Sequence, residues 1–311
     1  MTVRVFSSSD AGSPVLTSAP GSFLNVLSKC LVEGYGSKAG AGWTKPFANA
    51  ANTIAAFKQG GGNNRLLRVD DSAASANPRY ARVRGYETMS DLDTGNGAFP
   101  TTTQYATQGG CPWTTHYTNT GTDPHMWLII ADETFFYVHW LNAPGNEANT
   151  GYKETYWFGD LVKYGANDNY ATVLMARSAV GQNSSEAFPF YTVGMGSTDS
   201  GSLYAPRSYT GLGGSVSLGK HHDGYKSGST TWGQGNLGYP HGPDGALLLS
   251  PVWVHEPNAL RGRLPGGWAP LQEAFNDLDT FDGQGEFAGK KFLIFRHGTG
   301  RLAVEISDTW R

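Results

Sequence analysis

Between Met126 and Leu141 the chain carries its densest apolar positions. Met126-Trp127-Leu128-Ile129-Ile130 and Phe135-Phe136-Tyr137-Val138-His139-Trp140 are parted by Asp132-Glu133-Thr134. Two runs of strand length around a short polar break predict a hairpin, and their continuous apolar character predicts burial on both faces. That hairpin is the expected centre of the core. Elsewhere the period is two: Ala81, Val83, Gly85 and Met89 alternate with Arg82, Arg84, Tyr86 and Thr88, the pattern of a half-buried strand. Further apolar clusters lie at 171–175, 188–193 and 247–254. A second hairpin is predicted where Phe292-Leu293-Ile294-Phe295 and Leu302, Val304 and Ile306 flank His297-Gly298-Thr299-Gly300. Helical spacing occurs after Pro20-Gly21-Ser22, where Phe23, Leu24, Val26, Leu27 and Leu31 predict a helix closing at Gly34, with Ser22 as its cap.

From 194 to 245 the chain is almost all Gly, Ser, Thr, Tyr and His. It reads as a long insertion, and loops of that length in compact domains are usually functional. The expected fold is therefore mainly β, α+β only at its margin. It has an antiparallel β-sandwich-like core, one amino-terminal helix and a Gly/Ser-rich loop excursion over 194–245. A single domain over 1–311 is expected, with subdomains 1–150 and 151–311 as the alternative.

Composition sharpens this picture. Of 311 residues only 16% are charged, against the quarter or so usual in globular domains, so charged helix faces are scarce. A net charge of −3 creates no field toward nucleic acid or anionic lipid, and neither partner is expected. Every apolar run falls far short of the roughly 18 residues that cross a bilayer. The first residues lack the basic start and apolar stretch of a secretory leader, so synthesis and folding in a cytoplasm are expected. Cys30 and Cys111 read as small buried hydrophobes, a disulfide between them being the alternative.

Motifs for chemistry are incomplete. Gly214 to Lys220 has the spacing of a phosphate-binding loop, but His221 stands where Ser or Thr would hold magnesium. Gly283-Gln284-Gly285-Glu286-Phe287-Ala288 reads as a turn. His221-His222-Asp223 are adjacent and so diverge, and His255-Glu256 is followed by Pro257. Asp70 with Asp71, and Asp91 with Asp93, are the acidic pairs that a glycan-degrading enzyme would use. No catalytic residue, metal ligand or cofactor is assigned. Of the aromatics, Trp127, Trp140, Trp157 and Trp253 lie in apolar runs and read as core. Tyr204, Tyr209, Trp232 and Tyr239 sit in the Gly-rich stretch and are the candidate contacts for a glycan or a protein partner.

Several blocks carry a resemblance. They are Val3-Arg4-Val5-Phe6-Ser7-Ser8, Val32-Glu33-Gly34-Tyr35-Gly36-Ser37-Lys38 with Gly42-Trp43-Thr44-Lys45, and Leu67-Arg68-Val69-Asp70-Asp71. Ala81-Arg82-Val83-Arg84-Gly85-Tyr86-Glu87 with Asp91 and Asp93-Thr94-Gly95, and Leu260-Arg261-Gly262-Arg263-Leu264-Pro265-Gly266, complete the set. Together they resemble a group of tailed-bacteriophage virion structural proteins, best over the first hundred residues and again near 260. The resemblance implies a non-enzymatic subunit of the tail, neck, baseplate or head surface, made in the host bacterial cytoplasm. Its implied partners are copies of itself and other virion proteins, with segment 194–245 as an arm whose removal leaves the core folded. A carbohydrate- or receptor-binding module contacting a host surface glycan is the alternative.

Overall fold

The computed structural model describes residues 2–73, 79–104, 110–116, 121–141, 153–177, 201–221, 247–270, 275–297 and 300–310. In chain order the strands are β1 (Arg4–Ser7), β2 (Thr44–Ala48), β3 (Ile54–Lys58), β4 (Leu66–Asp70), β5 (Arg79–Tyr86), β6 (Thr88–Met89) and β7 (Gly95–Asn96). Then come β8 (Cys111–His116), β9 (Trp127–Ala131), β10 (Phe135–Leu141), β11 (Lys153–Asp160), β12 (Val162–Lys163), β13 (Thr172–Arg177) and β14 (Gly201–Ala205). The last are β15 (Val216–His221), β16 (Leu249–Glu256), β17 (Ala259–Pro270), β18 (Thr280–Asp282), β19 (Lys291–His297) and β20 (Gly300–Glu305). Helix α1 (Ser22–Leu27) runs on into a π-helical turn, Ser28–Glu33.

The fold is mainly β and every pairing among the described strands is antiparallel. A five-stranded sheet has the order β2-β3-β4-β5-β8, and a 13-stranded sheet runs β1-β9-β10-β11-β13-β14-β15-β16-β17-β20-β19-β18, with β12 pairing β17 off that path. The predicted central hairpin is β9–β10, with Phe136 opposite Ala131 and Trp140 opposite Trp127. All its strand residues are buried, because each face meets a different layer. Phe136 and Trp140 face the small sheet and helix, where Trp43 meets Phe136 at 5.5 Å and Phe23 meets Trp140 at 4.9 Å. Tyr137 and His139 face the other way, onto Trp310 at 5.7 Å and onto Phe295 of β19, stacked at 4.6 Å.

The large sheet thus folds back over its own beginning, giving three layers. The bend falls in β17, which pairs β12 through Gly262 and Arg263 but β20 through Gly267 and Trp268. Gly266 between them has φ +59° and lies against Trp310, where a Cβ would stand 2.3 Å from the indole; only glycine fits a bend that tight. One main cluster of buried side chains runs from Val3 to Trp310.

Several expectations are corrected. Segment 194–245 is not all loop: β14 and β15 lie within it and join β13 to β16 in the large sheet. Residues 194–200 and 222–245 lie outside the described residues, as does the apolar cluster at 188–193. Trp253 is half-buried on β16, whereas Trp127, Trp140 and Trp157 are core. Ser22 does not cap α1: its hydroxyl accepts from the Thr17 amide and donates to the Val15 carbonyl. Asp71 takes that role through Oδ2, accepting from the amides of Phe23 at 3.0 Å and Leu24 at 3.3 Å.

Candidate contact surface

Of the four candidate contact aromatics, Trp232 and Tyr239 lie outside the described residues. Tyr204 is corrected: it sits on β14 opposite Leu174 of β13, 8% exposed and part of the main core, in a strand buried on both faces between β13 and β15. Tyr209 is 53% exposed, at the tip of the turn between β14 and β15.

That turn is braced from below by Arg261, a fully buried side chain of β17. Its Nε and Nη2 donate to the two oxygens of Asp168 at 2.5 and 2.9 Å, the two-pronged geometry in which a guanidinium binds a carboxylate most strongly. Its Nη1 donates to Glu256 Oε1 and, at 3.1 Å, to the Arg207 carbonyl. Glu256 Oε1 also accepts from the Tyr209 amide at 2.8 Å. A buried arginine thus fixes the backbone on either side of Ser208.

A second knot lies beside it. The Tyr170 ring has Arg65 at 5.7 Å and Arg207 at 5.3 Å from its centroid. Both guanidiniums pair with Glu87, Arg207 at 2.6 Å and Arg65 at 3.6 Å. Hydrogen bonding to Glu87 pushes the Arg207 pKa up. Gly211, at φ +75°, packs on this ring, where a Cβ would lie 2.7 Å from Tyr170. Ser208 Oγ donates to the Leu212 carbonyl at 3.1 Å, closing the turn.

The segments that meet at Arg261 hold four large apolar side chains out to solvent. Tyr164 is 71% exposed, Leu212 75%, Tyr209 53% and Leu260 38%. Tyr164 is tied in by its amide, which donates to the Arg261 carbonyl at 3.0 Å. The arrangement keeps apolar groups exposed on a backbone tied by buried hydrogen bonds.

The acidic pairs do not converge. Asp71 is buried against Arg79, whereas Asp70 accepts from Ser72 on the other face of the strand and lies 3.8 Å from Arg68. Asp91 closes a turn through the amides of Asp93 and Thr94, each at 2.8 Å, and Asp93 pairs with Arg68. Glu256 is taken by Arg261, and the residues from Val216 to His221 form a strand. Cys30 and Cys111 are buried free thiols whose pKa values burial pushes up. Among the described residues no three His, Cys, Asp or Glu side chains gather as a metal site. Also among them, no helix is long and apolar enough to cross a membrane.

Beside α1 a recess of about 330 Å³ is lined by Leu24, Asn25, Lys29, Glu33, Lys45 and Asn52, among others. Both lysines turn to Glu33, at 2.6 and 3.6 Å. The Arg261 network escaped the sequence reading because Asp168, Glu256 and Arg261 belong to segments that only folding joins. The one signal for it was a pair of arginines, Arg261 and Arg263, in a strand of otherwise small and apolar residues. Comparison with models of protein families and with curated proteins finds no match to this chain.

Proposed function

We propose that this chain is a structural subunit of a tailed-phage virion, at the tail, neck, baseplate or head surface, working through contacts with its own copies and with other virion proteins. The observation that carries the reading is the braced turn: Tyr209 and Leu212 stand in water on a backbone tied to the fully buried Arg261, with Tyr164 and Leu260 exposed on the segments that meet there. Such a patch is ordered before it meets a partner, so little conformational entropy is lost on docking. The sequence blocks that resemble virion structural proteins point the same way, and one of them, 260–266, contains Arg261.

Lysine cross-linking of purified particles tests this. Lys163, next to Tyr164, is expected to link to a neighbouring virion protein or to a second copy. Particles that lack the chain, or that yield no link from Lys163, count against the reading.

The exposed ring of Tyr209 supports a second reading, a module that stacks on host surface glycans. It requires saturable glycan binding by the purified chain that Tyr209→Ala abolishes.

A further inference from the structure

The outer face of the five-stranded sheet carries an arginine, Arg84, that has no partner among the described residues. Alternation along β5 puts Ala81, Val83 and Gly85 toward the core and Tyr80, Arg82, Arg84 and Tyr86 on the opposite face. Register sets Arg84 directly opposite Arg68 of β4, and Arg82 opposite Asp70.

The side chains beside Arg84 on this face, Arg68 and Arg82, are arginines that can only donate, and the Arg82 Nε is itself buried without a hydrogen-bond partner. Arg68 donates to Asp93 Oδ1 and to the Leu92 carbonyl, both at 3.0 Å. Arg82 donates to the Tyr80 hydroxyl at 3.2 Å and lies 5.5 Å from the centre of that ring. Arg84 is only 6% exposed, and its Nε and Nη2 are both buried. Neither atom has a hydrogen-bond partner, and Arg84 has no ion-pair partner among the described residues. A guanidinium does not escape burial by losing its proton. A buried charge of this kind is stable only when an opposite charge completes it. The cross-strand residue adds to the need, since Arg68 is itself positive.

The two orphaned atoms also define the shape of what is missing. Nε and Nη2 lie along one edge of the guanidinium, the edge that donates in parallel to the two oxygens of a carboxylate. One unpaired positive charge calls for one negative charge. We propose that Arg84 anchors a carboxylate site on this sheet face, completed from outside the chain by a small organic acid or by an acidic side chain of a bound protein. The site is separate from the braced turn and does not depend on the virion reading.

Thermal unfolding of the full chain at constant ionic strength, with chloride replaced stepwise by acetate or by N-acetylglutamate amide, tests the site. The wild-type midpoint rises and saturates. Arg84→Met shows no such rise, and in chloride it unfolds at the wild-type temperature or above, because it removes an uncompensated charge. Arg84→Lys keeps the charge without the two-donor edge, and its apparent affinity falls at least tenfold. A response to acetate alone marks a small acid as the occupant; a tighter response to the blocked glutamate marks a protein side chain. The proposal is overturned if neither probe shifts the wild type, if Arg84→Lys or Arg84→Met responds equally, or if Arg84→Met unfolds at a lower temperature in chloride.

Discussion

At the scale of single residues, Asp71 does the most with the least. One oxygen caps α1 through the amides of Phe23 and Leu24, and the other binds Arg79 at 2.5 Å. Arg79 is fully buried and also donates to the carbonyls of Ser18 and Asp71. Burial raises the Asp71 pKa to about 6, against the pull of Arg79. Removing the carboxylate leaves Arg79 buried without its charge partner, so Asp71→Ala is expected to cost about 3 to 5 kcal/mol. Urea unfolding of the purified variant measures this, and a loss below 1 kcal/mol would mean that Arg79 finds another partner. The residue scale was also the least legible in the sequence. Ser22 occupied the position that local rules favour for a cap, yet the carboxylate that caps the helix is 48 positions away from Phe23. Local propensity carries no information about a side chain that arrives from another strand.

At the scale of elements, legibility follows apolar density. The β9–β10 hairpin was readable because its apolar runs are dense and its break short, and β19–β20 because Phe292 to Phe295 is an unbroken run answered by alternating Leu302, Val304 and Ile306. The strands β14 and β15 were hidden because they are rich in Gly and Ser and borrow their apolar cover from neighbours: Leu203 faces Leu218 across the pair. Removing 194–245 is therefore expected to break the large sheet between β13 and β16, and circular dichroism of that deletion would show lost strand signal instead of an intact core.

Asp277 joins elements in a different way, receiving Lys153 of β11 at 2.7 Å, His139 of β10 at 3.3 Å and the Arg296 amide of β19 at 2.7 Å. Burial pushes its pKa up, but His139 and Lys153 outweigh it and hold the carboxyl at about 2, against an ordinary 3.8. A depressed carboxylate stabilises the fold above its unfolded pKa and loses that contribution as pH falls through the folded one. The Asp277 contribution, about 2 kcal/mol, is thus complete above pH 4 and disappears toward pH 2. Asp277→Asn removes it at neutral pH, so the stability gap between wild type and variant is expected to close across that acid window. A gap that stays constant from pH 7 to pH 2 would show that the carboxylate charge plays no part.

At the scale of the whole molecule, the shape depends on one bend, and the proposed contact surface depends on where that bend leaves β17. The apolar pattern revealed the two hairpins and the strand over 81–89 but not that the sheet folds back, since that follows from a glycine packed against Trp310 some forty residues later. Before the bend, β17 carries Arg261 under the 206–215 turn; after it, β17 joins the layer that covers the central hairpin. Rigidity and contact are therefore separable by mutation. Tyr209→Glu with Leu212→Glu changes exposed side chains only, and surface changes of this kind usually stay within about 0.5 kcal/mol. The double variant is expected to fold with an unchanged unfolding midpoint and, on the proposed virion role, to enter particles at least tenfold less well, because that role puts both charges against a partner. Arg261→Met is the complementary case. It strands Asp168 and Glu256 beneath the turn, so the midpoint falls and the turn loosens even though every contact side chain is still present. Quantifying both variants against wild type in purified particles distinguishes the outcomes. Normal incorporation of the double glutamate variant would mean that the braced turn faces no neighbour in the particle, and the proposed role of this surface would fail while the fold stood.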